Sequence, residues 1–346
     1  MRLGLLLGFW DEMGPPSNLV EAVREAEALG YESVWTSEAS GSDALTPLAW
    51  LGAHSRAMRL GTCIMQMAAR PPSAAAMAAL SLDHLSKGRF VLGLGLSGPQ
   101  LVEGWYGQPF DPPLGRTREY LEIVRRVLAR RAPVEFQGEH FRLPLAGGSG
   151  LGRPFLASVR PLRPDLPILL AAEGPRNVAL AREIADGWIA AYYSPHRDRH
   201  LRAALAEGEA RPGARRAAAD FEIVATPSLV VDDDVEAAAG RLRPLFARFI
   251  GGMGAPGRNF HFNALARLGF EGAVTTVRDL WLEGRHRDAE AAVPRSLIEE
   301  VSLIGPPAKI REELAEWRRS PVSTLLIHVP LDARALRQAA EIVLAA

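Results

Sequence analysis

A single cysteine, Cys63, stands in 346 residues, so no internal disulfide and no multi-cysteine metal site can form. Lysine is nearly absent (Lys87 and Lys309 only), and arginine carries almost all of the positive charge. Net charge is absent as well. Forty basic residues balance forty acidic ones, leaving no field to gather nucleic acid or an anionic membrane. The expected partner is a small molecule. No uncharged apolar run is long enough to span a bilayer. The opening MRLGLLLGFWDEMG has a short apolar stretch, but aromatic and acidic residues follow at once and no small-residue cleavage site does. It reads as a first strand, and the lone thiol suits a reducing cytoplasm.

What is present is an ordinary globular composition, 48% hydrophobic and 23% charged, in a repeating strand–helix order. RLGLLLG, YESVWTSE, MRLGTCIMQ and RFVLGLG read as strands one to four. NLVEAVREAEALG, DALTPLAWLGAHS, PPSAAAMAALSLDHLSKG and GRTREYLEIVRRVLAR read as the helices after them. An excursion over 132–167 contains a hairpin turning at Gln137–Gly138 and a glycine-rich loop. PILLA, WIAAYYS, FEIVATPSLVV and STLLIHV supply strands five to eight. The stretch 241–295 is largely helical, broken at GGMGAPG, with an insertion at about 248–287. Eight βα units predict α/β architecture closed as a (β/α)8 barrel, one unit over 1–346.

Gly93, Gly95 and Gly98 match the G-x-G-x-x-G spacing of a dinucleotide-binding turn. Context opposes that reading. The third glycine should open a helix in the first βαβ unit, whereas this is the fourth unit. Pro99 and Gln100 follow it, no helical pattern is read before about Arg116, and Glu119 falls mid-helix. In a barrel strand these glycines instead permit close approach by a side chain or a flat ligand.

Barrels carry their active sites at the C-terminal ends of the strands. The residues there are Phe9, Trp10 and Asp11; Thr36, Ser37 and Glu38; Thr62, Cys63, Ile64 and Gln66; and Ser97, Gly98 and Gln100. The second half adds Ala172, Glu173 and Gly174; Tyr192, Tyr193 and Ser194; Thr226; and His328. Apolar walls with a few converging polar groups suit a planar heterocycle. AAEGPRN leads through Gly174 and Pro175 into a helix whose first amides can meet a phosphate. Asp83 with Arg89 reads as a structural ion pair on the opposite face. No H-x-H, H-E-x-x-H or G-x-S-x-G spacing appears, so neither a metal site nor a serine triad is predicted. Cys63 in its apolar strand reads as packing rather than as a nucleophile.

The stretches VWTSEASGSDALTPLAWLGAHS, LGTCIMQMAARPPSAAAMAALSLDHLSKGRFVLGLGLSGPQLVEGWYGQPF, RTREYLEIVRRVL, ILLAAEGPRNVALA and GPPAKIREELAEWR cover most of the barrel in order. Together they resemble the bacterial luciferase-like superfamily, within it the branch that uses the deazaflavin coenzyme F420. The resemblance implies coenzyme F420 at the rim, with hydride passing to or from its C5. It also implies a bulge with a non-proline cis peptide, here at Cys63–Ile64, against the back of the ring. By position, Glu38 and Gln66 would flank the ring, and Ser97, Gly98 and Gln100 would meet the ring or its ribityl chain. Glu173, Gly174 and Asn177 would surround the phosphate, with Tyr120 and Arg116 reaching toward it and Arg70 toward the acidic tail; Ala172 also counts among the coenzyme-binding residues. The branch's sugar-phosphate and alcohol dehydrogenases carry a glutamate after the glycine-rich strand and a histidine beside the second-strand acid. This chain has Pro99, Gln100 and Ala39 at those places, which favours reduction of an activated C=C or C=N bond. Glu38, Tyr192, Tyr193 and solvent are the candidate proton donors, with Glu38 and Tyr192 taken as catalytic. The rival readings are an FMN-dependent monooxygenase and a non-catalytic flavin-binding protein. Members of the superfamily associate through barrel helices, which implies a homodimer.

Overall fold

The computed structural model describes residues 1–10, 12–110, 113–253 and 258–345. Asp11 and part of the GGMGAPG break therefore lie outside the described residues. The strands are β1 (Arg2–Gly8), β2 (Ser33–Thr36), β3 (Arg59–Thr62), β4 (Phe90–Gly95), β5 (Ile168–Ala171), β6 (Gly187–Ala190), β7 (Glu222–Ala225) and β8 (Thr324–Ile327). Each pairs in parallel with the next, and β8 pairs with β1, which closes the ring. The chain is thus a closed (β/α)8 barrel.

Period-2 alternation divides the strand residues between two cores. Trp35, Val91, Leu169, Ile189, Val224 and Leu326 point inward and fill the barrel, with Leu6, Cys63, Ile64 and Ala171 stacked on them. The intervening residues point outward and meet the helices, for example Leu3 and Leu5 of β1 and Phe90, Leu92 and Leu94 of β4. Glycine makes room for the Trp35 indole: a Cβ on Gly61 would stand 2.2 Å from the ring. At the N-terminal end the barrel is closed by charge. Glu222 is held by Arg59 through two bonds of 2.9 Å and by Arg2 at 2.8 Å.

Four local readings are corrected. MRLGTCIMQ is not one run: β3 stops at Thr62, the Cys63–Ile64 peptide is cis, and Met65–Gln66 resumes pairing beside β4. FEIVATPSLVV splits likewise. Only Glu222–Ala225 enters the barrel; Leu229–Val231 pairs with Leu303–Gly305 in a separate two-stranded sheet, because Pro227 between them cannot donate to a ladder. A helix does follow the glycine-rich strand at once, Pro99–Gly104, with Gly98 as its N-cap. It is too short to show a period. Asp83 pairs with Arg163 of the excursion, not with Arg89, whose guanidinium donates to the carbonyls of Gly52, Met58 and Ser86.

Two additions shape the barrel's surroundings. In the excursion, Phe136–Gln137 and Arg142–Leu143 form the expected hairpin. The Glu119 carboxylate pins it by accepting from the amides of Glu139, His140 and Phe141 at 2.8–3.0 Å. The segment between β7 and β8 builds a second hydrophobic core of its own, running from Ala238 to Ile304, against which Tyr192 packs.

Candidate active site

At the C-terminal rim the bulge after β3 gathers the first group of predicted residues. Glu38, buried just past β2, accepts from the Gln66 amide at 2.9 Å and from Arg70 Nη1 at 2.8 and 2.9 Å. The Gln66 side chain donates to the Glu38 carbonyl at 2.7 Å, and Ser37 Oγ donates to the Cys63 carbonyl at 2.6 Å. Strand end and bulge are thereby stitched together. Gln66 Oε1 remains buried without a hydrogen-bond partner.

The glycines of β4 serve this bulge. A Cβ on Gly93 would lie 1.8 Å from the Thr62 carbonyl oxygen, and Thr62 Oγ1 both donates to and accepts from the Gly93 backbone at 2.7 and 2.9 Å. A Cβ on Gly95 would lie 2.7 Å from the Ile64 side chain. Gly95 is therefore the notch into which Ile64 fits. Beyond it, Ser97 (φ 60°) turns through the left-handed region, as Tyr192 (φ 50°) does after β6. Non-glycine residues held there concentrate at functional sites.

Across the mouth, Gly174 caps the Pro175–Ile184 helix with Asn177 in its first turn, and the space beside the Gly174 Cα is open. Ala172 is buried, its carbonyl accepting from Trp188 Nε1 at 2.8 Å. Glu173 meets a residue that sequence reasoning missed: His261, on the Phe260–Leu265 helix of the β7–β8 insertion, places Nδ1 at 2.9 Å from Glu173 Oε1. The contact is close in distance but not aligned as a hydrogen bond, and Glu173 Oε2 also lacks a partner. Nothing in the spacing of the histidines marks this one.

Cys63, Tyr192 and His328 are deep enough for burial to move their ionisation, yet all three keep accessible surface. Burial pushes the Cys63 thiol up to about 12 and depresses the His328 imidazole. Burial, with the Glu173 charge second, raises the Tyr192 phenol well above its usual range.

Other predicted residues stand apart. Tyr120 is in the outer core, its hydroxyl donating to the Arg70 carbonyl at 3.0 Å. Tyr193 is in the outer core too, and donates to Asp198. Arg70 is engaged by Glu38, with Asp43 at 3.6 Å. Arg116 lies over the Phe141 ring at 4.9 Å.

The residues 5–324 match the model of the luciferase-like monooxygenase family. This chain belongs to that family. It is 49% identical, over 94% of both chains, to a Mycobacterium tuberculosis protein named "Putative coenzyme F420-dependent oxidoreductase". It is 27% identical to the 5,10-methylenetetrahydromethanopterin reductase of Archaeoglobus fulgidus, over 89% of this chain and 88% of that one. Among solved structures, the coenzyme F420-dependent tetrahydromethanopterin reductase of Methanopyrus kandleri superposes with a TM-score of 0.81 at 21% identity, covering 99% and 98% of the two chains. An F420-dependent secondary alcohol dehydrogenase follows at 0.75 and 17%, covering 99% and 98%. These two likenesses establish the fold.

The residues at the rim fit a flat coenzyme. Two buried oxygens, Gln66 Oε1 and Glu173 Oε2, lack partners, and the approach to the Gly174 backbone is clear. Buried polar atoms are normally satisfied, so such groups at a cleft point to a ligand.

Proposed function

We propose that this protein is an F420-dependent oxidoreductase that reduces an activated C=C or C=N bond of a small organic or peptide substrate. The observation that carries the reading is the 49% identity, maintained over 94% of both chains, with a protein named for F420 dependence. Ala39, Pro99 and Gln100 offer neither imidazole nor carboxylate beside the second and fourth strand ends, which supports reduction over alcohol oxidation.

In this reading Cys63 and Ile64 back the ring system, Ile64 being carried forward by the Gly95 notch. Gln66, Ser97, Gly98 and Gln100 provide its polar edge contacts. The amides at Gly174 and Asn177, opening the Pro175–Ile184 helix, receive the phosphate. Glu38 serves as a fixed acceptor that holds Arg70 and the Gln66 amide in place. Tyr192 walls the cleft and limits water. The bound coenzyme, when reduced, supplies a hydride. We also propose a homodimer, supported by the exposed Trp50 and Met77 on the adjoining Leu45–His54 and Pro72–Leu85 helices.

Titration of the purified protein with F420 and with FMN, followed by intrinsic tryptophan fluorescence, tests the reading. Preferential F420 binding, with oxidation of reduced F420 by 2-cyclohexen-1-one, is the expected result. Tight FMN binding with oxygen-dependent turnover would overturn it, and F420 binding without hydride exchange to any acceptor would favour a carrier.

A further inference from the structure

The Phe260–Leu265 helix belongs to the β7–β8 insertion, yet it meets the ends of three other strands. Phe260 Cε1 lies 3.6 Å from the point a Cβ on Gly98 would occupy, past β4. His261 Nδ1 lies 2.9 Å from Glu173 past β5, and the imidazole stands edge-on to Tyr192 past β6, centroids 5.5 Å apart. The helix is held there by design of its cap. Asn259 Oδ1 accepts from the Phe262 amide at 3.0 Å, while its Nδ2 donates to the carbonyls of Phe249 and Ile250 at 3.0 and 2.8 Å. Phe249 and Phe260 flank the imidazole at 4.9 and 4.3 Å. One imidazole is thus enclosed by aromatic rings and stands beside one carboxylate.

We propose that His261 is the proton donor of the reduction and that Glu173 is its positioning residue, an inference that rests on the oxidoreductase reading above. Hydride addition forms a C–H bond as the π bond breaks, and the π electrons move to the α-carbon of a C=C bond or the nitrogen of a C=N bond. That atom takes the proton from the imidazolium form of His261, which solvent then reprotonates. The acceptor gains the two electrons that the reduced deazaflavin gives up, so hydride and proton together complete the saturated product. Glu173, 2.9 Å away, offsets the positive charge on the imidazolium form, while the aromatic neighbours hold the ring.

The groups named from sequence serve this purpose less well. Both oxygens of Glu38 already accept from Arg70, and one also from the Gln66 amide, so protonation would sacrifice those bonds. Tyr192 presents its ring to the imidazole and packs at 6.0 Å against Phe246, acting as a support. Among the described residues, the titratable groups that meet His261 are Glu173 from the β5 end and Tyr192 from the β6 end, and the remaining ring neighbours are phenylalanines.

The test compares wild type, His261→Gln and Glu173→Gln in two measurements. The first is hydrogen exchange at the imidazole C2 of His261, read by mass spectrometry with and without saturating F420. The second is kcat and KM for oxidation of reduced F420 by 2-cyclohexen-1-one across pH 5–9. F420 should slow exchange at His261. His261→Gln should lower kcat about 100-fold with coenzyme affinity kept within about twofold, and should erase one limb of the pH profile. Glu173→Gln should lower kcat about tenfold and displace that limb. Unchanged exchange at His261 in F420-saturated protein overturns the proposal, whether or not the acceptor is turned over. So does a His261→Gln enzyme with the wild-type profile. Absence of F420 binding by the wild type instead sinks the functional reading, and the proton-donor role falls with it.

Discussion

Gln66 donates twice to Glu38: its amide to the carboxylate at 2.9 Å, and its side chain to the carbonyl at 2.7 Å. Arg70 completes the group, its Nη1 donating to both carboxylate oxygens. Glu38→Gln removes the charge that Arg70 faces. Hydrogen bonds to charged groups are each worth about 1.5–3 kcal/mol, so a stability loss of about 2 kcal/mol is expected in urea unfolding. F420 affinity should weaken with it, since the bulge behind the proposed ring site loosens.

Gly93 and Gly95 should respond differently to alanine. At Gly93 the new methyl meets the Thr62 carbonyl, which is fixed backbone in the barrel wall. At Gly95 it meets Cγ1 and Cδ1 of the Ile64 side chain, which can turn or be trimmed. Overpacking commonly costs about 1–3 kcal/mol and more where the neighbour cannot yield. Gly93→Ala should therefore lower Tm well beyond Gly95→Ala. Adding Ile64→Ala should recover part of the loss for Gly95→Ala and none for Gly93→Ala.

Cys63 should be nearly inert while the protein is folded. Its thiol is raised to about 12 by burial, so little thiolate exists at pH 8. Iodoacetamide labelling is expected to run at least about 100-fold slower than for a free thiol and to become normal in denaturant. Rapid labelling of the native protein would contradict the environment described.

Glu222 and Asp186 are among the buried carboxylates that make stability fall in acid. Burial alone would raise Glu222 and Asp186, but the arginines around each outweigh it and leave both below their ordinary values. A depressed carboxylate contributes stability above its unfolded pKa, here 4.5 and 3.8, and loses it as pH falls through the folded value. Urea midpoints should therefore hold steady near neutrality and drop below about pH 4.5. Asp186→Asn leaves Arg125, Arg215 and Arg216 facing one another without their shared anion, at a cost of about 3–5 kcal/mol at pH 7. It should also flatten the acid dependence.

The barrel was legible because each strand is a short apolar run closed by a helix of visible period. What escaped were features with no period. Pro99–Gly104 is only 6 residues long, under two turns, and the break at Pro227 separates two strands that local composition joins. At the site, Glu38, Gln66, Cys63 and Ile64 could be grouped because they fall at neighbouring strand ends. His261 could not, since it reaches Glu173 only through the folding of the second core. Asp83 found Arg163 rather than Arg89 for the same reason: chain proximity is a poor guide to which arginine a buried carboxylate selects.

The plug of Trp35, Val91, Leu169, Ile189, Val224 and Leu326, sealed beneath by Glu222 and its arginines, has a kinetic consequence. Among the described residues no passage runs through the middle of the ring, so under the proposed function coenzyme and acceptor share the C-terminal doorway. The deeper guest has to arrive first and depart last, and product-inhibition patterns will carry the signature of that queue.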